Sequence, residues 1–218
     1  MEYLVISDLH LTEFNKAKFD YLSGLFSRYE NIILNGDLWT NYYKDFDYFV
    51  KSDWSKLFPI LKSKNTIYIE GNHDLFKTSD ERINLFSNDH KKELIVEIDN
   101  EKYIIRHGHT YFKRTKTDLE KKLWRKLGLY KLRIFVEKLI AKHFGRDLYQ
   151  AFCSKDNQKI KDAKRNSEEK DVWLLTGHTH VSEFNFKEKF VNTGFTNYGL
   201  ATFAVLTAQG PKLYNESF

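Results

Sequence analysis

The chain has one cysteine, Cys153, and two prolines in 218 residues. A lone thiol excludes an intrachain disulfide and suits a reducing compartment. No run of about 18 apolar residues occurs, so no membrane-spanning helix is expected. The opening "MEYLVISDLH" goes straight into strand-like sequence, without the basic segment and apolar stretch of a secretory leader. These absences point to a cytoplasmic protein. Internal repeats, low-complexity tracts and Pro/Gly/Ser linkers are missing too, and the length fits one domain with a full core.

Aromatic side chains are plentiful at 16%, and basic charge is concentrated in one place. Between Tyr111 and Asp147, twelve Lys/Arg stand against four acids, a net +8. The whole chain carries +5, so the remainder carries −3. An anionic partner is therefore to be sought at that segment.

Five short apolar runs end in polar chemistry. "YLVIS" leads into Asp8-Leu9-His10, "NIILN" into Gly36-Asp37, "TIYIE" into Gly71-Asn72-His73-Asp74, "KYIIR" into His107-Gly108-His109, and "VWLLT" into Gly177-His178-Thr179-His180. Their length and Ile/Val/Leu/Tyr content predict buried strands. Phe19, Leu22, Phe26 and Tyr29, then Trp54, Leu57, Phe58 and Leu61, recur at helical spacing between the first three. That alternation predicts parallel pairing through crossover helices. "ELIVEI-DN-EKYIIR" predicts a hairpin, and "EFNFK", "KFVNT", "TFAVLT" and "KLYN" further short strands. The class is α/β with mixed sheets, two of them packed together.

Residues 113 to about 166 read as a helical insert. Leu119, Leu123 and Leu127 form one stripe, Leu132, Phe135, Val136, Leu139 and Ile140 a broader one, with a break near Gly128. The basic residues and Trp124, Tyr130 and Phe144 beside them make it a candidate cap. The alternative is two stripes packed on the body with solvated charges.

Ligands of open α/β sheets bind beyond the C-terminal ends of the strands. Six of the eight histidines (His10, His73, His107, His109, His178, His180) sit at such ends, and only His90 and His143 do not. Two divalent metals sharing one carboxylate account for this collection, since a close pair of ions can clamp the attacking and leaving oxygens of phosphoryl transfer. Mixed imidazole and carboxylate ligands suit manganese, iron, zinc or nickel rather than calcium, and manganese is the first expectation. Cys153 has no base near it in sequence and is given no nucleophilic role.

The ordered set D-x-H, G-D, G-N-H-D, H-G-H and G-H-T-H, from Asp8 to His180, resembles the calcineurin-like metallophosphoesterase superfamily. The resemblance implies a four-layer αββα sandwich of two mixed β-sheets flanked by helices. It would form one domain over residues 1–218, with the basic cap at about 113–166. It implies a first metal on Asp8, His10, Asp37 and His180, and a second on Asp37, Asn72, His107 and His178, with Asp37 bridging. A metal-bound hydroxide would cleave a phosphoester or pyrophosphate bond, and His73 would touch the phosphate and protonate the leaving group. His109 is then a phosphate-facing candidate rather than a ligand, with Arg114, Lys121, Lys122 and Arg125 as candidate substrate contacts.

Departures narrow the subfamily. Thr40 and Asn41 of "GDLWTNY" stand where the protein Ser/Thr phosphatases of the family carry Asp and Arg, so protein phosphatase activity is not expected. The insert and "VNTG" (Val191–Gly194) resemble the branch of UDP-2,3-diacylglucosamine pyrophosphohydrolases of lipid A synthesis. That branch, however, carries Arg at the position of His73 and usually "HGD" where this chain has "HGH". The expected substrate is a small or amphiphilic phosphorylated molecule, with peripheral contact to the inner membrane face through the insert. The alternatives are the lipid A diphosphatase itself, a nuclease or phosphodiesterase using the basic insert, and a non-catalytic scaffold. The scaffold is disfavoured because every ligand position is filled.

Overall fold

Strand β1 (Tyr3–Ile6) buries Leu4, Val5 and Ile6 completely, as a strand covered on both faces does. The computed structural model describes residues 2–112, 128–153 and 157–218. Among them β1 runs parallel to β2 (Asn31–Asn35), β2 to β3 (Asn65–Ile69), and β3 to β4 (Asp89–Lys91). On its other side β1 pairs antiparallel with β11 (Leu200–Thr207), which also pairs with β10 (Thr196–Asn197) and β12 (Gly210–Ser217). The second sheet has the order β5 (Leu94–Ile98), β6 (Glu101–Ile105), β7 (Trp173–Thr176), β9 (Phe190–Asn192), β8 (Glu183–Asn185). Its inner pairs β6/β7 and β7/β9 are parallel and its outer pairs antiparallel. The β5–β6 hairpin turns at Asp99 (φ 52°) and Asn100 (φ 66°), the left-handed pair that a type I′ turn requires. β4 escapes sequence reading because all three of its residues are polar and exposed.

Crossover α1 (Lys16–Ser27) starts where the Asn15 side chain accepts the Lys18 N–H at 2.9 Å. It buries Leu22, Leu25 and Phe26. The helix expected around Trp54–Leu61 is two pieces, a 3₁₀ turn Asp53–Leu57 and α3 (Phe58–Ser63). Pro59 in the first turn of α3 has no N–H to give to a preceding turn, so the helix begins afresh there. A short α2 (Phe46–Lys51) precedes them, with only Phe46 and Phe49 buried, too few for a readable period.

Three apolar layers order the fold. Val5, Ile33, Ile69, Leu175, Val191 and Leu206 fill the space between the sheets. Ile6, Leu34, Leu22, Phe26, Trp54 and Leu61 join the first sheet to α1–α3. Ile104, Leu174 and Phe190 on the far face of the second sheet meet Ile160 of a further helix, Asn157–Arg165. The result is helix, sheet, sheet, helix, the layering expected above.

In the insert, Leu119, Leu123, Trp124 and Leu127 lie outside the described residues. Helix α4 (Leu129–Cys153) starts at the expected break, directly after Gly128 (φ 66°), and is interrupted at Gly145 (φ 75°). The helix Asn157–Arg165 is α5. Ile140, Ala141 and Tyr149 of α4 pack on Phe195, Tyr198 and Leu200. The Arg146 guanidinium donates to Thr202 Oγ1 and to the carbonyls of Ala201 and Glu216. Leu132, Phe135 and Leu139 remain 59%, 59% and 40% exposed, so the broader stripe only partly packs. No helix among the described residues is long and apolar enough to cross a membrane.

Candidate metal centre

The residues that follow the strand ends share a backbone feature. Asp8 (φ 54°), His10 (φ 44°), Asp37 (φ 55°), His178 (φ 67°) and His180 (φ 62°) are all left-handed. Such conformations cost about 1–3 kcal/mol each at non-glycine residues and persist only where the surroundings over-determine them. The gain here is direction, because each turn aims a side chain across the strand ends toward its neighbours. Close approach of these turns also needs glycine. A Cβ on Gly71 would overlap the Asp37 carboxylate and backbone nitrogen, and one on Gly177 would overlap Ser7 and Asp8.

Three overlapping donor groups result. Asp8, His10 and His180 form one, Asp37, His107 and His178 another, and His10, Asp37 and His73 span them. His180 Nε2 lies 3.1 Å from Asp8 Oδ1 and 3.2 Å from His10 Nε2, and His10 Nε2 is 3.9 Å from both Asp8 Oδ1 and Asp37 Oδ2. His107 Nε2 is 3.3 Å and His73 Nε2 3.8 Å from the same Asp37 Oδ2. Donors about 2.1 Å from a common ion stand about 3 Å apart at right angles, so these spacings are those of ligands around a cation.

The carboxylates divide their oxygens in a way that fits this. Asp8 Oδ2 accepts the Ser7 hydroxyl (2.6 Å) and the His178 N–H (2.9 Å), while Oδ1 is buried without a hydrogen bond among the described residues. Asp37 Oδ1 accepts the His73 N–H at 2.8 Å, and Oδ2 turns to the histidines. Asn72 Oδ1 is likewise buried and unsatisfied. His107 Nδ1 donates to the Asn35 carbonyl at 2.8 Å, which leaves Nε2 bare in the neutral ring. Nε2 facing Asp37 Oδ2 without hydrogen-bond geometry is two lone pairs in opposition unless a proton or a cation lies between them. The residues present therefore fit divalent metal ions.

The electrostatics follow from burial and from this crowding. Burial opposes ionisation of Asp8 and Asp37, yet the neighbouring imidazoles outweigh it. His107 and His180 push Asp8 down to about 2, and His107 and His73 hold Asp37 well below the usual range. Burial works against charge on His107 as well, but Asp37 and Asp8 raise it to about 9. His10 falls to about 4, chiefly through burial. Asp74 is pushed up to about 7 by burial and by Asp37, against the pull of backbone N–H groups at Gly71 and Leu38. Asp74 accepts the N–H of Asp37 (3.1 Å) and of Gly71 (2.7 Å), so it builds the loop and does not face substrate.

Supporting roles emerge that the sequence reading does not assign. Thr40 Oγ1 is 3.0 Å from His10 Nδ1, so the residue in place of the family's Asp backs His10 rather than His73. Tyr42 does the latter, its hydroxyl 3.3 Å from His73 Nε2 and its ring 4.6 Å from the imidazole. The Tyr149 hydroxyl is 3.3 Å from His180 Nδ1. Behind the "GHTH" turn, the Asn192 amide of "VNTG" donates to the Gly177 carbonyl (2.8 Å) and Asn157 Oδ1 (2.9 Å), and Asn157 Oδ1 also accepts the Thr179 hydroxyl (2.7 Å). Lys18, buried on α1 and pushed down to about 7 by that burial, donates to the Leu9 carbonyl between Asp8 and His10. Only the "VNTG" motif offered a sequence signal, because the others are ordinary residues made functional by distant packing.

A cleft of about 550 Å³ opens over this floor. Asp8, His10, His73 and His180 line its base, and Phe14, Tyr42, Tyr149 and Phe195 its sides, with Arg133, Glu137, Lys138 and Lys142 of α4 above. His109 stands beside His107 and His178, at ring distances of 5.6 and 6.3 Å, and outside the donor groups and the cleft lining. Burial and the His107 charge lower it to about 4. Arg114, Lys121, Lys122 and Arg125 lie outside the described residues.

Among solved structures, an archaeal phosphodiesterase is 16% identical over all of both chains, with a TM-score of 0.51. The E. coli phosphoesterase Yfce is 13% identical, with 94% of this chain and 88% of that one covered, and a TM-score of 0.50. At such identities the likeness establishes the fold alone. No curated protein sequence matches the chain. The model of the calcineurin-like phosphoesterase superfamily domain matches residues 1–210. Ordered motifs, sandwich and donor cluster thus meet in one conclusion: the chain belongs to the calcineurin-like phosphoesterase superfamily and is a hydrolase acting on phosphoester bonds.

Proposed function

We propose that this chain is a dinuclear metal-dependent phosphohydrolase cleaving a phosphoester or pyrophosphate bond in a small or amphiphilic phosphorylated substrate. One observation carries the reading: the donor groups Asp8–His10–His180 and Asp37–His107–His178 are linked through His10, Asp37 and His73, and the first of them lines an open cleft together with His73. Asp8, His10, Asp37 and His180 would hold one ion, and Asp37, Asn72, His107 and His178 the other. Bound ions would supply positive charge for the phosphoryl oxygens and a nucleophilic hydroxide at neutral pH, and manganese suits the donor set.

The chain's own residues do the rest. Thr40, Asn35 and Tyr149 set the ring orientations of His10, His107 and His180. His73 reaches into the cleft and is the group to protonate the departing oxygen, with Tyr42 holding its ring. The aromatic sides and cationic roof suit a phosphorylated molecule with an apolar part. The outward row Leu132, Phe135 and Leu139 supports contact with an amphiphile or an anionic membrane surface.

The test is hydrolysis of phosphomonoesters, phosphodiesters and nucleotide diphosphate sugars by purified protein, before and after chelation. Chelator should abolish turnover and Mn²⁺ restore it. His73→Ala should keep its metal and lose about 10²–10⁴-fold in rate. The loss should be smaller on p-nitrophenyl esters, whose leaving group needs less protonation. Undiminished hydrolysis in chelator, or equal His73→Ala losses on activated and unactivated esters, would sink the reading.

A further inference from the structure

The roof of the cleft carries a guanidinium that the catalytic reading leaves without a role. Arg133 lies one turn into α4 and lines the cleft together with His10, His73 and His180. Its surroundings fix its place. It sits near Tyr42 and Tyr149, which contact His73 on one side of the floor and His180 on the other. Its Nε donates to Glu137 Oε1 at 2.5 Å, and the Tyr198 hydroxyl donates to Glu137 Oε2 at 2.9 Å. Glu137 is only 6% exposed, so this carboxylate is a rigid bracket rather than a surface partner.

The bracket uses one edge of the guanidinium. Among the described residues the Nη groups have no hydrogen-bond acceptor, although Arg presents five N–H donors in a fixed fork. An arginine held by one edge with its other donors turned to a cleft is pre-organised for an oxyanion. Lys138 and Lys142, further along the same helix, line the cleft too. Three cations against Glu137 leave the α4 side of the lining at +2, more than a single carboxylate would call for and suited to a phosphate.

We propose that Arg133, bracketed by Glu137 and Tyr198, forms a second phosphate subsite above the metal centre, so that the substrate carries a phosphate beyond the one being cleaved. This rests on the phosphohydrolase reading and narrows it, because a substrate with two phosphates, joined as a diphosphate or set apart, is favoured over a simple monoester. The alternative is a purely structural ion pair that fixes α4, in which case Arg133 would not discriminate among ligands.

The experiment measures inhibition of p-nitrophenyl phosphate hydrolysis by ADP and by AMP at fixed free Mn²⁺, for wild type, Arg133→Gln and Arg133→Lys. ADP should inhibit wild type about tenfold or more better than AMP, the worth of charge-assisted hydrogen bonds. Arg133→Gln should bring ADP to within about threefold of AMP. Arg133→Lys, which keeps the charge but not the fork, should fall between. No preference for ADP in wild type, or a preference that survives in Arg133→Gln, overturns the subsite. If wild type hydrolyses no ester, calorimetry of ADP and AMP with the Mn²⁺-loaded protein separates the two readings. An ADP preference lost in Arg133→Gln keeps the subsite and removes the hydrolase, and its absence overturns both.

Discussion

The strand-end centre and helix α4 face each other across one cleft and are held by different means. At the centre the backbone is forced into left-handed turns, each carboxylate spends one oxygen on the scaffold, and the imidazoles are backed by Asn35, Thr40 and Tyr149. Trp39, two residues beyond Asp37, is buried among Phe46, Phe49, Tyr68 and Phe86 and anchors that loop in the first apolar layer. Helix α4 rests on a small cluster around Tyr149 and on Arg146, and it turns Leu132, Phe135 and Leu139 outward. The difference teaches where each kind of precision is needed. Ion binding tolerates only errors of tenths of an ångström, so its donors are over-determined, while the helix above the cleft is held by a few contacts.

The sharpest way to break this contrast is at Asp37. Asp37→Asn removes the charge that faces three histidines, and it should lose metal and at least about 10³-fold in turnover while the sandwich stays folded. Metal analysis alongside circular dichroism checks it. Near wild-type turnover with Mn²⁺ would show that the two donor groups do not act together.

A second measurement sharpens the comparison through pH. In the metal-free protein His107 rises from 6.5 to about 9, a raised folded-state value. The stability it contributes is fully present below about pH 6.5 and is lost as pH rises through about 9. Metal needs the neutral ring, so binding expels that proton and Mn²⁺ affinity should rise about tenfold per pH unit across the same window. An NMR titration of the His107 ring in metal-free protein and Mn²⁺ titrations from pH 6.5 to 9 check both, since Lys18, lowered to about 7, gains stability over the same range and would mask the thermal midpoint. A His107 ring that titrates at or below its ordinary 6.5 would contradict its pairing with Asp37.

The smallest effect belongs to α4. Serine at Leu132, Phe135 and Leu139 together should change stability by less than about 0.5 kcal/mol per site, since these side chains contact little. Hydrolysis of a small soluble ester should hold steady. Binding to vesicles rich in anionic lipid should weaken if the row meets a membrane, and an unchanged vesicle isotherm would leave it a solvent face.

Much of the centre was legible because its chemistry is local in sequence. Apolar strands stop at Gly-Asp, Gly-Asn-His-Asp and Gly-His-Thr-His, and the period of the strands and helices between them announces parallel pairing. The split of the Trp54–Leu61 helix at Pro59, the strand β4 and the short α2 were not read, because the apolar period runs on across Pro59, β4 has no apolar residue and α2 has too few to show a period.

The sequence by itself therefore determined the class of fold, the family and the set of side chains able to hold metal, since these follow from residue type and order along the chain. Tertiary structure alone decided that Thr40 backs His10, that Tyr42 rather than an acid holds His73, and that Arg133 of α4 comes to lie over the same floor as His180. Those contacts join residues 30, 31 and 47 positions apart, and nothing in a chain's local pattern encodes which distant surfaces packing will bring together.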